Sequence, residues 1–128
     1  MHPMLNIATR AARAAGTVIY RSMDKVENLK ISTKAANDFV SDVDKQAEAA
    51  IISTIQKAYP DHTIKAEESG QLKGNPDFQW IIDPLDGTTN FLHGFPQFAV
   101  SIAFMDRGRL SQAVIFNPIN QELFTASR

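Results

Sequence analysis

The spacing of apolar residues changes once along this chain, at Pro60, and that change restricts the fold more than any other feature. Before it the apolar positions recur at helical intervals. Met4, Leu5, Ala8, Ala11, Ala12, Ala15, Val18, Ile19 and Met23 make one stripe, with Arg10, Arg13 and Arg21 off it. Pro3 suits the first turn, where its missing N–H has no intrahelical partner anyway. This predicts a surface helix packed on a core. A mixed stretch over 24–40 follows, with the turn-prone pair Asn37-Asp38. Ser41, with Asp44 three residues on, then reads as a capping-box-like start of a second helix. Val43, Ala47, Ile51, Ile55 and Ala58 form its apolar row, and Pro60 ends it by excluding the helical conformation at Tyr59.

After Pro60 the pattern is that of strands. Thr63–Ala66 is a short strand candidate, and Phe78–Ile82 reads as a buried strand. Gly70 and Lys73-Gly74-Asn75-Pro76-Asp77 read as loop between them. Phe98–Met105 and Leu110–Phe116 are joined across Asp106-Arg107-Gly108-Arg109, and Asn117-Pro118-Ile119-Asn120 turns the chain into Glu122–Ala126. Two helices followed by such a run predict an α+β fold, the two helices packed on a largely antiparallel sheet. The last strand is followed at once by Arg128, so the sheet is expected to present an edge and the sequence to be part of something larger.

Composition removes several classes of function. At 128 residues and 44% hydrophobic, the chain can build one small domain with a core. A net charge of −1 gives no bulk attraction to nucleic acid or anionic membranes. There are no cysteines, hence no disulfides or thiolate metal sites, in keeping with a cytoplasmic location. No apolar run approaches the ~20 residues of a membrane helix.

The remaining chemistry lies in three acidic clusters: Asp38-Phe39-Val40-Ser41-Asp42-Val43-Asp44, Glu67-Glu68-Ser69, and Trp80-Ile81-Ile82-Asp83-Pro84-Leu85-Asp86-Gly87-Thr88-Thr89-Asn90-Phe91. In the third, an apolar strand runs into Asp83. Pro84 fixes the backbone and Gly87 relaxes it, so Asp83 and Asp86 can converge on one side of a tight turn, with the Leu85 carbonyl beside them. Oxygen ligands of this kind suit Mg²⁺. Gly87, Thr88 and Thr89 then offer N–H groups and hydroxyls at a short helix start, a setting that binds phosphate. Each cluster also has an ordinary reading: Asp-Pro-Leu-Asp-Gly as turn chemistry, Glu67-Glu68 as solvated surface, and Asp44 as an acid in the first turn of a helix. Jointly they point elsewhere. If Glu67, Asp83 and Asp86 share a site, their mutual repulsion must be neutralised by one or more cations.

At these residues the sequence resembles the inositol monophosphatase family of lithium-sensitive, Mg²⁺-dependent phosphatases. The segment from Trp80 to Phe91 is similar to the family signature, Glu67-Glu68-Ser69 to its upstream Glu-Glu-Ser element, and Asp38–Asp44 to its Asp-hydrophobic-Val-Thr-x-x-Asp element. The opening, His2 to Ala8, and the ending, Asn120 to Ala126, look most like the bacterial extragenic-suppressor branch. The resemblance runs over essentially the whole chain. It implies the first half of a layered αβαβα fold, with residues 1–128 as the N-terminal metal-binding domain and a C-terminal α/β domain absent.

The resemblance also implies roles. Glu67, Asp83 and the Leu85 carbonyl would bind one Mg²⁺, and Asp83 and Asp86 a second, in a site of two or three ions. Glu67 and Thr88 would orient the attacking water, with Asp44 behind Thr88. Asp86, Gly87, Thr88 and Thr89 would hold the substrate phosphate. The implied reaction is hydrolysis of a small phosphorylated polyol, myo-inositol monophosphate first, in a homodimeric cytoplasmic enzyme without membrane contact. The family's further metal-binding aspartate lies in a Trp-Asp element that this chain lacks, its one tryptophan being Trp80. Two further readings stand beside the enzyme: a contact with the transcription and RNA-processing machinery, and an inactive metal-binding fragment. His93 reads as a loop histidine, and His2 and His62 as incidental.

Overall fold

A computed structural model of the chain describes residues 2–27, 33–67, 69–86 and 98–128. Helix α1 spans Pro3–Glu27 and α2 spans Thr33–Ala58. Six strands follow: β1 His62–Ala66, β2 Gly70–Leu72, β3 Asn75–Asp86, β4 Ala99–Asp106, β5 Arg109–Asn117 and β6 Glu122–Ser127. They form one sheet in the order β2-β1-β3-β4-β5-β6. Every neighbouring pair is antiparallel except β1 and β3, which run parallel.

The α1 stripe is buried as its spacing predicts: Leu5, Ala8, Ala11, Ala12, Ala15 and Ile19 all lie in the core. Pro3 opens the helix, and His2 caps it by accepting the Met4 N–H at Nδ1, 3.1 Å away. The second helix departs from its sequence reading. It begins at Thr33, so Asn37-Asp38 is helical backbone rather than a turn, and Ser41 and Asp44 lie inside the helix rather than at its cap. The Ser-x-x-Asp spacing is a local cap signal, but Val40, Val43, Ala47, Ile51 and Ile55 make one continuous buried stripe that carries the helix through it. Ala58 is exposed, and the helix does end before Pro60.

Both helices cover one face of the sheet. Ile64 of β1, Trp80 and Ile82 of β3, Val100, Ile102 and Phe104 of β4, and Val114 and Phe116 of β5 are buried against them. Positions of the other parity form the opposite face, where Ile81, Ile115 and Phe124 are 45%, 49% and 60% exposed. β4 and β5 are joined through Arg107 and Gly108 at φ 50° and 80°, the paired positive angles of a tight hairpin turn whose twist matches the strands.

The junction of β1 with β3 is closely tied. Buried Thr63 accepts the Gly74 N–H at Oγ1 (3.0 Å) and donates the same hydroxyl to the Asn75 carbonyl (3.1 Å). The Asn75 N–H donates to the Asp61 carbonyl. A Cβ on Gly74 would collide with that Asp61 carbonyl and lie 2.7 Å from the His62 carbonyl. Both obstacles are backbone, so a strand must shift. Gly74→Ala is expected to cost about 1–3 kcal/mol, as overpacking does, and to lower the melting temperature by roughly 3–10 °C for a domain of this size. A thermal scan checks this, and an unchanged midpoint would show that the strands separate freely there.

Candidate metal and phosphate site

The parallel pairing of β1 and β3 places the acidic clusters. Ala66, the last residue of β1, lies opposite Ile82 in register, so Glu67 leaves β1 level with the point where β3 reaches Asp83. Neighbouring strands are ~4.8 Å apart, so the backbone at Glu67 and at Asp83 belongs to one short stretch of the sheet's end.

Asp86 reaches the same region by a different device. Asp83 pairs with Ser101 and Asp86 with Ala99, so three steps along β3 oppose two along β4. This is a β-bulge, and it changes which face a residue takes. Residues three apart on a regular strand face opposite sides. Here the extra residue carries Asp83 and Asp86 to the face shared by Ser101 and Ala99. The sequence reading had these acids converging across a tight turn after a strand ending at Ile82. Instead β3 continues to Asp86, and the bulge at Pro84-Leu85 brings the two acids to one side. Pro84 fits there because a bulged residue need not donate to the ladder. The Leu85 N–H donates to Asp83 Oδ1 at 3.3 Å, tying one carboxylate oxygen to the bulge. Leu85 is buried, Asp83 half-buried, and Asp86 and Glu67 exposed.

Asp44 is half-buried on α2, one turn before Glu48. Glu48, which sequence reasoning passed over, is buried at 1% exposure and accepts the Ser69 N–H at 2.8 Å. Ser69 closes the short connection from β1 to β2, and Gly70, read from sequence as loop, opens β2 with a positive φ of 71°. Glu68, Gly87, Thr88, Thr89 and His93 lie outside the described residues.

All-oxygen donors are what Mg²⁺ requires, and Glu67, Asp83, Asp86 and the Leu85 carbonyl are donors of that kind. Among the described residues, no three histidine or acidic side chains come together as a group able to hold a metal ion. The structure thus pairs the residues that precede Glu67 and Asp83 and brings Asp86 to the side of Asp83 by the bulge, but does not close the three into a cage.

His62, also passed over in the sequence, is the acceptor for the indole N–H of Trp80, at 3.0 Å on Nδ1. It stacks on Tyr59 with ring centroids 4.6 Å apart and on Phe78 at 5.0 Å. Burial pushes the His62 pKa below its usual 6.5, against the opposing pull of Asp61.

The sequence profile of the inositol monophosphatase family matches residues 1–128. The chain belongs to that family. It is 57% identical over 129 residues to Nus factor SuhB of Vibrio cholerae and to Nus factor SuhB of Escherichia coli K12, covering 100% of this chain and 48% of each relative. The chain therefore spans about half the length of these relatives. Among solved structures, the extragenic suppressor protein suhB of Bartonella henselae superimposes with a TM-score of 0.86 at 46% identity, over 98% of this chain and 49% of that one. An inositol monophosphatase from Anabaena gives a TM-score of 0.80 at 40% identity, over 97% and 43%. The two-helix, six-stranded layer is the inositol monophosphatase fold. No helix among the described residues is long and apolar enough to cross a membrane.

Proposed function

We propose that this chain forms the metal-binding, water-activating half of a Mg²⁺-dependent phosphatase that hydrolyses a small phosphorylated polyol, myo-inositol monophosphate first. The observation that supports this reading is the register of β1 with β3, in which Ala66 and Ile82, the residues before Glu67 and Asp83, are paired. Asp83, Asp86, Glu67 and the Leu85 carbonyl would hold the ions, two or three in number, with further ligands from outside the described residues. Bound Mg²⁺ would lower the pKa of a water and neutralise the charge gathering on the phosphate. Glu67 and Thr88 would orient that water, with Asp44 behind Thr88. Asp86 with Gly87, Thr88 and Thr89 would receive the phosphate. Homodimerisation, a cytoplasmic location and sensitivity to lithium belong to the same proposal.

The test is phosphate release from myo-inositol 1-phosphate by the purified chain, titrated with Mg²⁺, alongside calorimetric binding of the ion. Saturable Mg²⁺ binding is expected, with turnover far below that of a relative of full length. A chain that takes up no divalent cation would overturn the assignment.

The name of the relatives at 57% identity, Nus factor SuhB, favours a second activity, contact with the transcription machinery. Capture of RNA polymerase by the wild-type chain and by Glu67→Gln separates the two. Equal capture by both is expected if the contact is independent of the metal.

A further inference from the structure

We infer that Glu48 is a positioning residue for Glu67: from the core it anchors the β1–β2 connection and so fixes where the Glu67 carboxylate sits beside Asp83. This rests on the metal-site reading above.

The argument begins with burial. A carboxylate at 1% exposure has given up nearly all its water, and such a group persists only where its oxygens are used. Glu48 Oε1 accepts the backbone N–H of Ser69 at 2.8 Å, the short distance of a charge-assisted bond. Ser69 is the last residue of the connection between Ala66 and Gly70.

The first end of that connection is already held. Ala66 pairs with Ile82 of β3 on one side and with Gly70 of β2 on the other. Glu67 follows directly. With Ala66 fixed by the sheet and Ser69 fixed by Glu48, only Glu67 and Glu68 lie between two anchored points. Gly70, at φ 71°, makes the reversal that allows so short a link. Remove the Glu48 anchor and the connection keeps only the Ala66–Gly70 pairing at its ends, so Ser69, and Glu67 with it, can shift relative to Asp83.

The position of Glu48 on its helix supports this. It lies four residues after Asp44, on the same face of α2, next to the buried positions Ala47 and Ile51. That face therefore presents Glu48 toward the β1–β2 connection. A residue kept only for helix solubility would sit on the outer face with Lys45 and Gln46, both of which are exposed.

Four proteins decide the matter: wild type, Glu48→Ala, Glu48→Gln and Glu67→Gln. Each is measured by amide hydrogen exchange over residues 66–70, by calorimetric Mg²⁺ binding and by thermal melting. In Glu48→Ala, exchange at Ser69 is expected to rise roughly ten- to hundredfold, as loss of a hydrogen bond to a charged acceptor implies. Mg²⁺ affinity is expected to fall roughly ten- to hundredfold, as for a residue that orients a ligand. Glu48→Gln keeps an oxygen acceptor, and is expected to restore Ser69 protection and most of the affinity. Unchanged exchange at Ser69 in Glu48→Ala overturns the inference. So does a lower melting temperature with wild-type Mg²⁺ affinity, which would make Glu48 structural only. Should wild type and Glu67→Gln bind Mg²⁺ equally poorly, the metal reading fails. The exchange rates at Glu67 and Ser69 then decide the anchoring role by themselves.

Discussion

Glu67→Gln is expected to lower Mg²⁺ affinity at least about a hundredfold, the upper end of what loss of a mere supporting partner costs, and to abolish any metal-dependent phosphate release. Glutamine keeps the shape of the side chain and one carbonyl oxygen, so the effect isolates the charge. Without metal the substitution should do the opposite of harm. Glu67 directly follows Ala66, which pairs with Ile82, the residue before Asp83. Two like charges ~4–5 Å apart in water repel by about 1 kcal/mol, and removing one relieves that. In chelator the variant should therefore melt at or slightly above the wild-type temperature. In Mg²⁺ the order reverses, because an ion present at a hundred times its Kd stabilises the folded chain by about 2.7 kcal/mol, and only the wild type receives that benefit. Asp83→Asn should behave likewise, since asparagine Oδ1 can still accept the Leu85 N–H. Crossed melting curves with and without Mg²⁺ are the signature. A Glu67→Gln chain that binds Mg²⁺ as the wild type does would remove Glu67 from the site.

The helices were legible in the sequence because their signal is local. The α1 stripe is a local pattern, and burial of Ala8, Ala11, Ala12, Ala15 and Ile19 follows from spacing alone. The acids could be grouped from sequence only as a candidate set, because three carboxylates sharing one site would repel one another without cations. Non-local pairing was hidden. That β1 runs parallel to β3, with β2 sent to the sheet's edge, follows from which strands meet, and a run of four or five apolar residues carries no such information. The bulge was hidden for the same reason: Asp-Pro-Leu-Asp-Gly carries every local mark of a turn, and only the register against Ala99 and Ser101 reveals a strand with one residue too many. The start of α2 was misread because a cap signal is local while the stripe that overrides it is long. Glu48 and His62 were missed because a glutamate in a helix and a lone histidine are surface residues by default. Their burial comes from the β1–β2 connection and from Trp80, which sequence spacing does not bring near them. A buried row interrupted by one acid, Ala47-Glu48 before Ile51, was the faint signal available.

Trp80→Ala is expected to cost about 3–5 kcal/mol, the usual loss for a large aromatic cut out of a core. That approaches the whole stability of a domain at the lower end of the ordinary 5–15 kcal/mol range, so the variant should be largely unfolded well below the wild-type transition. Trp80 is fully buried, its ring centroid lies 4.7 Å from that of Phe104, and its indole N–H is the donor to His62 Nδ1. The truncation leaves both a cavity and a histidine without that donor. The bond has a direction that pH can read. Nδ1 can accept only while it is unprotonated, so the folded state holds His62 neutral, consistent with a pKa pushed down by burial. Between the lowered folded value and the unfolded value of 6.5, the unfolded chain binds more protons. Stability from this pair is thus complete above about pH 6.5 and is lost as pH falls below it. His62→Asn places a non-titrating oxygen near the position of Nδ1 and should flatten that part of the profile. Because Trp80 is the only tryptophan, its emission follows the same bond directly. Denaturant unfolding at pH 7.5 and pH 5.5, read by tryptophan fluorescence in wild type and His62→Asn, gives the answer. Equal losses in both would assign the acid sensitivity to carboxylates elsewhere, whereas a loss confined to wild type would show that β1 is held to β3 by a neutral histidine, five residues before the carboxylate it helps to place.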